Sequence, residues 1–304
     1  MSLYSNASFN PVLSEALNKI GENKFVGTSI LPIRNVRTKN GDYPIFSDDQ
    51  FDLNDSAIRS AGSSFARRDF DYGKQSYACL QYALEGVLPD EDSSKASDDG
   101  ISDAAGAIAQ KLQRDIMVGH EVRVQSVLQN GGFTATGATA AMSAGGAKPI
   151  TDIQNAVERL NANGMFDNLS LIIESSLYNE MINTDDVRSI FNGNGQYTSK
   201  DILTSALGVS NIIVCPTRFN SAAKGQAASR TKIWETNAYY VAQIAGGEFS
   251  NGGIGRTLAY SPDGGAFTAE TYRDEPIKSD ILRVYMSTDE VIINANAGEE
   301  ITGA

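Results

Sequence analysis

The sequence predicts an α+β fold, and three stretches carry that expectation. One long helical segment runs from about Ser102 to Leu128. From Thr151 to about residue 250, buried strands alternate with short helices, the pattern of a compact α/β unit. The last fifty residues then read as strand after strand. With 304 residues, 41% hydrophobic and 20% charged, the chain can bury one large core or two modest ones. The sequence has no visible internal repeat.

The first 40 residues read as an arm. Val12, Leu13, Ala16, Leu17 and Ile20 recur at helical spacing, and "VGTSILPIRNV" follows as extended chain interrupted by Pro32. Residues 41–77 read as a ribbon. Within "FDLNDSAIRSAGSSFARRDFDYG" (51–73), Phe51, Leu53, Ile58, Phe65, Phe70 and Tyr72 follow no 3.6-residue period. Alternation survives only at Phe51/Leu53 and Phe70/Tyr72, which predicts two short strands around a polar, glycine-containing tip. Such a ribbon cannot build a core by itself. It must either close as a lid on its own domain or reach onto neighbouring copies.

"ACLQYALEGVL" (78–88) is apolar and reads as a strand or a short helix. "PDEDSSKASDDG" (89–100) is an acidic joint. Its Asp90, Asp92, Asp98 and Asp99 lack the glycine and closing Glu of a calcium loop, so a solvated linker is expected. In the long helix, Ala104, Ile108, Leu112 and Ile116 line one side, and Val122, Val124 and Leu128 continue it after a drift. Some 27 residues make a rod of about 40 Å. "QNGGF" ends it, and the small residues of "TATGATAAMSAGGAKP" are expected to connect rather than pack.

Thr151 and Gln154 predict a capping box for the next helix, with Ile153, Val157 and Leu160 inward and Gly164 closing it. "LSLIIE" reads as a buried strand, "SSLYNEMIN" and "SKDILTSALG" as helices, the latter closed by Gly208, and "NIIVC" (211–215) as a second strand. A loop at 217–230 precedes the strands "KIWE" and "AYYVAQIA". Terminal strands are expected at 267–272, 280–286 and 290–294, with a charged turn at 273–279.

The chemistry is sparse. A net charge of −12 and a pI near 4.6 argue against a nucleic-acid grip, which needs a basic face. No apolar run approaches the ~20 residues that span a bilayer. The start lacks a basic region followed by an apolar one, so no secretory signal is expected. Cys79 and Cys215, far apart among apolar neighbours, read as free, reduced thiols. The lone His120 has no flanking motif of a catalytic triad, and one His with two distant Cys makes no zinc set. "GNGQYTSK" and "GGEFSNGGIG" miss the spacings of phosphate-binding loops, and pairs such as Asp185/Asp186 cannot be placed across a cleft. No cofactor, metal or catalytic residue is therefore expected.

The order of parts resembles the major capsid proteins of tailed bacteriophages, whose fold is named for phage Hong Kong 97. The most specific stretch is "LTSALGVSNIIVCPTRFNSAAKGQAASRTKIWETNAYYVAQI" (203–244). "YRDEPIKSDILRVYMSTDEVIINANAGEEI" is similar to the family's last peripheral strands, and "NPVLSEALNKIGENKFVGTSILP" to its N-terminal arm. The resemblance implies an arm (1–42), an extended β-hairpin loop (43–75), a peripheral domain (76–149) with a spine helix (102–128), an axial domain (150–250), and returning peripheral strands (251–304). It implies a structural protein forming pentamers and hexamers of itself, closing an icosahedral shell around DNA that it encloses without specific binding. Its place would be the virion, after assembly in the host bacterial cytoplasm and away from membranes.

The implied partners are a portal, a decoration or cement protein, and a scaffolding protein. The last would be separate, since no scaffolding extension precedes the arm. Some relatives crosslink themselves through an Asn in the peripheral turn; "RDEPIKSD" has none, so this is not expected. In the resembled proteins the extended loop crosses an adjacent subunit near its peripheral domain. Contacts to a neighbour are therefore expected from Phe51, Leu53, Ile58, Phe65 and Phe70. At least one of Arg59, Arg67 and Arg68 is expected to pair with Asp274, Glu275 or Asp280 of that neighbour; the bland alternative leaves all three arginines solvated. Two rival readings are an encapsulin-type bacterial nanocompartment shell and, more distantly, a soluble oligomeric enzyme with a lid.

Overall fold

The structure, a computed structural model, describes residues 8–11, 13–15, 17, 25–46, 61–62, 64–65, 72–93, 103–191, 200–223, 225–249, 252–261 and 265–304. One 14-residue strand, β14 (Ser279–Ile292), organises the first of two large sheets. On one edge its first half pairs with β13 (Thr268–Asp274) and its last residues with β12 (Gly255–Tyr260). On the other edge it pairs with β5 (Leu80–Pro89), from Ser279↔Pro89 to Thr288↔Leu80. β1 (Ser8–Phe9) extends β13, and β2 (Ile33–Val36) lies parallel to β12. The segment 78–88 is therefore strand. The two strands expected at 280–286 and 290–294 are one, because Ser287 and Thr288 between them are buried and stay laddered.

The long helix, which we label α2 (Ala104–Gln129), crosses this sheet over about 39 Å. Asp103 caps it, accepting from Gly106 N at 2.7 Å. Ala109, Ile116 and Met117 pack on Leu17, Phe267, Leu282, Val284 and Met286. The buried face is rotated from the expected one: Ile108 and Leu112 are half-buried, and Val122 is exposed. The reason is chemical, since the buried face also carries Gln113, His120, Glu121 and Gln125, which an apolar pattern does not count.

The second sheet runs β6 (Thr134–Gly137), β15 (Gly298–Thr302), β11 (Ala238–Gln243), β7 (Leu169–Glu174), β8 (Asn211–Cys215). The helices α3 (Pro149–Ala162), α4 (Ser175–Asn183), α5 (Asp185–Phe191) and α6 (Lys200–Leu207) share a core with Leu171, Ile173, Tyr239, Val241 and Ile301. Its other face buries Ile172, Tyr240 and Ala242 against Val124 and Leu128 of α2 and against Ile30 and Leu31, which end the short helix α1 (Gly27–Ile30) or follow it. Covered on both faces, β7 and β11 are buried at every position and mostly apolar.

Several expectations change here. The stretch expected only to connect supplies β6, paired with β15, and buries Met142. Small residues can still ladder through their backbone. The capping box does not form: the N-cap is Lys148, three residues before Thr151, so α3 starts at Pro149, and Gln154 donates instead to Ala206 O. Asp186 Oδ2 accepts from the Ile150 N–H in the first turn of α3 at 3.1 Å. Gly164, at φ +80°, closes α3 as expected. The loop at 217–230 is bracketed by a hairpin, β9 (Arg218–Asn220) with β10 (Arg230–Lys232).

The ribbon pairs β3 (Asn40–Phe46) with β4 (Tyr72–Ala78), in register from Asn40↔Ala78 to Phe46↔Tyr72. Among the described residues no helix is long and apolar enough to cross a membrane.

Candidate assembly surface

The ribbon is bound to the first sheet through its root. Tyr43 and Tyr77 enter a core with Cys79, Leu258, Val291 and Ile293. Tyr43 Oη donates to Gln75 Oε1 at 2.8 Å, and Ala78 N donates to Asp289 Oδ2 at the same distance. Burial, with Asp289 adding, pushes the Tyr43 hydroxyl up to about 12. Gly41 lets the Tyr77 ring lie close, since a Cβ would stand 2.9 Å from its hydroxyl. Farther out along β4, Tyr72 to Ser76 are exposed. Among the described residues the ribbon thus has a buried base and an exposed outer stretch of β4.

At the β13–β14 turn a 3-10 segment, Glu275–Ile277, is held by Arg273. Its guanidinium donates to both Asp90 oxygens at 2.6 and 2.7 Å and to Asp280 at 3.2 Å, and lies 3.6 Å from Glu275. The hydrogen bonds from Arg273 hold the Asp90 carboxyl below its ordinary range. The first acid of the joint is therefore paired with this turn while remaining exposed to solvent, and Asp98 and Asp99 lie outside the described residues.

Of the expected contact residues, Asp280 and Glu275 are gathered around Arg273 of their own chain. Asp274 forms no ion pair among the described residues. Phe65 is 75% exposed. Phe51, Leu53, Ile58, Arg59, Arg67, Arg68 and Phe70 lie outside the described residues. Arg273 and Asp90 escape a sequence reading because 183 positions separate them and neither stands in a motif.

The sheet face away from α2 carries a second charged group. Arg283 donates to Glu85 at 2.8 Å, lies 3.4 Å from Glu270 and sits over the Tyr272 ring at 5.4 Å. Tyr285 Oη completes the set by donating to Glu270 at 3.0 Å.

The polar face of α2 anchors the arm. Glu121, fully buried, accepts from Val26 N at 2.6 Å and Gly27 N at 3.3 Å at the start of α1, while Gln113 donates to Leu17 O. Next to it, His120 Nε2 stands 3.3 Å from Thr257 Oγ1 and 3.5 Å from Glu290 Oε1. Arg123 takes the Glu290 carboxylate with two hydrogen bonds and lies over Tyr82 at 3.5 Å. Burial, with Arg123 adding, pushes the imidazole down to about 3. A neutral, enclosed ring of this kind packs between α2 and the strands β12 and β14.

Cys79 and Cys215 are free and buried, and burial raises both thiols, Cys79 to about 11. Among the described residues no three His, Cys, Asp or Glu side chains are grouped to hold a metal.

Three chain crossings join the two sheets, after α2, after β11 and after β14. They meet where Gly298 leaves room for Phe133 and Ile254; a Cβ at 298 would stand 2.9 Å and 3.1 Å from them.

No protein-family model matches the sequence, and no curated protein is significantly similar to it. Solved structures are similar along nearly its whole length. A phage-related protein from Bordetella bronchiseptica RB50 superposes with a TM-score of 0.76 at 19% identity, covering 98% of each chain. The capsid of cyanophage P-SCSP1u gives 0.58 at 12% identity, over 90% of this chain and 86% of that one. A virus-like particle from Pyrococcus furiosus gives 0.57 at 12%, over 96% and 98%. With its long helix on one sheet, its helix-covered second sheet and its rooted ribbon, the chain has the Hong Kong 97-type capsid fold.

Proposed function

We propose that this chain is the major capsid protein of a tailed double-stranded DNA bacteriophage, a structural protein and not an enzyme. Copies of it would assemble as pentamers and hexamers into an icosahedral shell enclosing the genome in the virion. The observation that carries this reading is the full-length likeness to the phage-related Bordetella protein, without a large unmatched part on either chain. A ribbon with a buried root and an exposed outer strand supports it, since an isolated two-stranded ribbon is marginal without a surface to pack on. Heterologous contacts that close into rings suit the assembly.

On this reading residues 43–75 are the extended loop, 102–128 the spine, and 150–250 the axial domain. β6 and β15 would complete the axial sheet from outside that range. Phe51, Leu53, Ile58, Phe65 and Phe70 would pack on a neighbour. With Glu275 and Asp280 already facing Arg273, Asp274 is the acid best suited to Arg59, Arg67 or Arg68 of an adjacent copy. The portal, a scaffolding protein and a decoration protein would be its partners, and assembly would take place in the host cytoplasm.

Negative-stain microscopy of the expressed chain, with and without a scaffolding protein, tests the reading: closed shells support it, and a discrete small oligomer under both conditions overturns it. The similarity to the Pyrococcus particle favours one alternative, an encapsulin-type shell. Nucleic-acid and protein analysis of purified particles separates the two, since a captured protein cargo in place of DNA would favour the compartment.

A further inference from the structure

The hairpin β9–β10 stands apart electrostatically. Residues 216–233 contain Arg218, Lys224, Arg230 and Lys232 and no acid, in a chain whose formal charge is −12. Setting these four aside takes the remaining charge from −12 to −16. The hairpin belongs to neither large sheet. Its register, Arg230↔Asn220 and Lys232↔Arg218, puts all three described cations on one face of the ribbon, because directly paired residues share a face and alternate residues along a strand do too.

Arg218 and Lys232 stand directly opposite each other, a like-charge pairing that weakens an isolated ribbon. Lys232 is drawn off to Glu174 and Ser176 at the start of α4. Arg218 and Arg230 are exposed and have no carboxylate within ion-pair distance among the described residues. The hairpin is nevertheless built. Asn220 Oδ1 accepts from Ala222 N and Ser229 N, and Ser221 Oγ meets Thr231 Oγ1 at 2.8 Å. A shaped ribbon with two unneutralised guanidinium groups, on a protein otherwise strongly acidic, complements the rest of its own kind.

We infer that the Arg218/Arg230 face of the β9–β10 hairpin docks on an acidic surface of a second copy of this chain. Copies carrying −12 each repel one another, and this hairpin offers an attraction that opposes that repulsion. The inference rests on the shell reading above, and it adds a contact distinct from the ribbon and the terminal turn.

The test uses full-length chain. Arg218→Lys with Arg230→Lys keeps the charge and adds amines that a carbodiimide can join to a touching carboxylate. Isotopically heavy and light copies are co-assembled, treated and digested. Heavy–light peptide pairs from positions 218 or 230 to an Asp or Glu are the expected result; pairs confined to one copy, or none at these positions in formed shells, overturn the inference. In parallel, Arg218→Glu with Arg230→Glu should raise the concentration needed for half-assembly by about fivefold at 0.1 M salt. The difference should fade at 1 M, where the Debye length is ~3 Å. Shells from this variant at the parental concentration also overturn it, and if they have lost co-purifying nucleic acid the hairpin reads a phosphate backbone instead. A parent chain that never assembles overturns the shell reading, and this inference with it.

Discussion

His120 stands 3.5 Å from Glu290 across the interface between α2 and β14, yet its ring is held neutral. Glu290 is already engaged by Arg123, so the carboxylate is not free to support an imidazolium, and burial opposes the charge outright. The contact therefore works as packing at ordinary pH and as a weakness in acid.

The sign follows from linkage. The unfolded chain protonates its histidine near 6.5, while the folded chain holds the ring neutral down to about 3. In that window the unfolded state binds more protons, so stability falls as pH falls. Each pH unit removes up to roughly 1.4 kcal/mol. Denaturant unfolding at pH 6.5 and 5.0 should show the loss, and His120→Asn should flatten it whatever it does to the baseline. Parallel slopes for parent and variant would count against the assignment. A His120→Asn shell should otherwise form normally.

The face of α2 makes a second prediction. Ile116 is 5% exposed in the core with Leu282 and Val284, whereas Leu112 is half-buried over Gly86 at the margin. Ile116→Ala should cost about 2–5 kcal/mol. Leu112→Ala should cost clearly less, and Val122→Ala should stay within about 0.5. Ile116→Asp should abolish soluble expression, since a buried unpaired carboxylate consumes most of a stability of about 5–15 kcal/mol. Equal costs at 112 and 116 would contradict the observed rotation of the helix.

These residues also explain what is legible in the sequence. β7 and β11 are readable because helices cover both faces, leaving "LSLIIE" and "AYYVAQ" mostly apolar. β12, "GRTLAY", is not, because a buried Arg256 and Thr257 interrupt it; Arg256 donates to the carbonyls of Gly255 and Gly252, and Thr257 to Leu31 O. The buried face of α2 misleads for the same reason, its polar residues finding partners from distant segments. At the terminal turn a charged cluster is visible in "RDEPIKSD", but the partner that fixes it, Asp90, arrives from β5. Periodicity reports what is buried against apolar surface, and it is silent on polar groups satisfied across long sequence separations.

The joint between the sheets offers a third test. Phe133 and Ile254 come from two of the crossings and close on Gly298 of the third, where a Cβ would stand 2.9 Å from the Phe133 ring. Gly298→Ala should destabilise the chain by about 1–3 kcal/mol through overpacking. Phe133→Leu in the same background should recover part of that loss, giving a coupling energy in a double-mutant cycle. Strict additivity would mean that the two positions do not press on each other.

The last prediction concerns the ribbon. Its root is secured by the register from Asn40↔Ala78 to Phe46↔Tyr72 and by Tyr43 and Tyr77 in the core with Leu258 and Val291. None of those contacts involves residues 54–64, which lie at the middle of the ribbon sequence. Removing 54–64 should therefore leave the subunit folded, with a melting temperature within a few degrees of the parent. If the ribbon serves a neighbouring copy, the same deletion should prevent regular shells, because each subunit loses a contact that a shell repeats at every position. Thermal unfolding and particle yield are measured on the same preparations. A deletion that unfolds the isolated subunit would make the ribbon a lid on its own domain, and a deletion that leaves both readouts unchanged would remove it from assembly altogether.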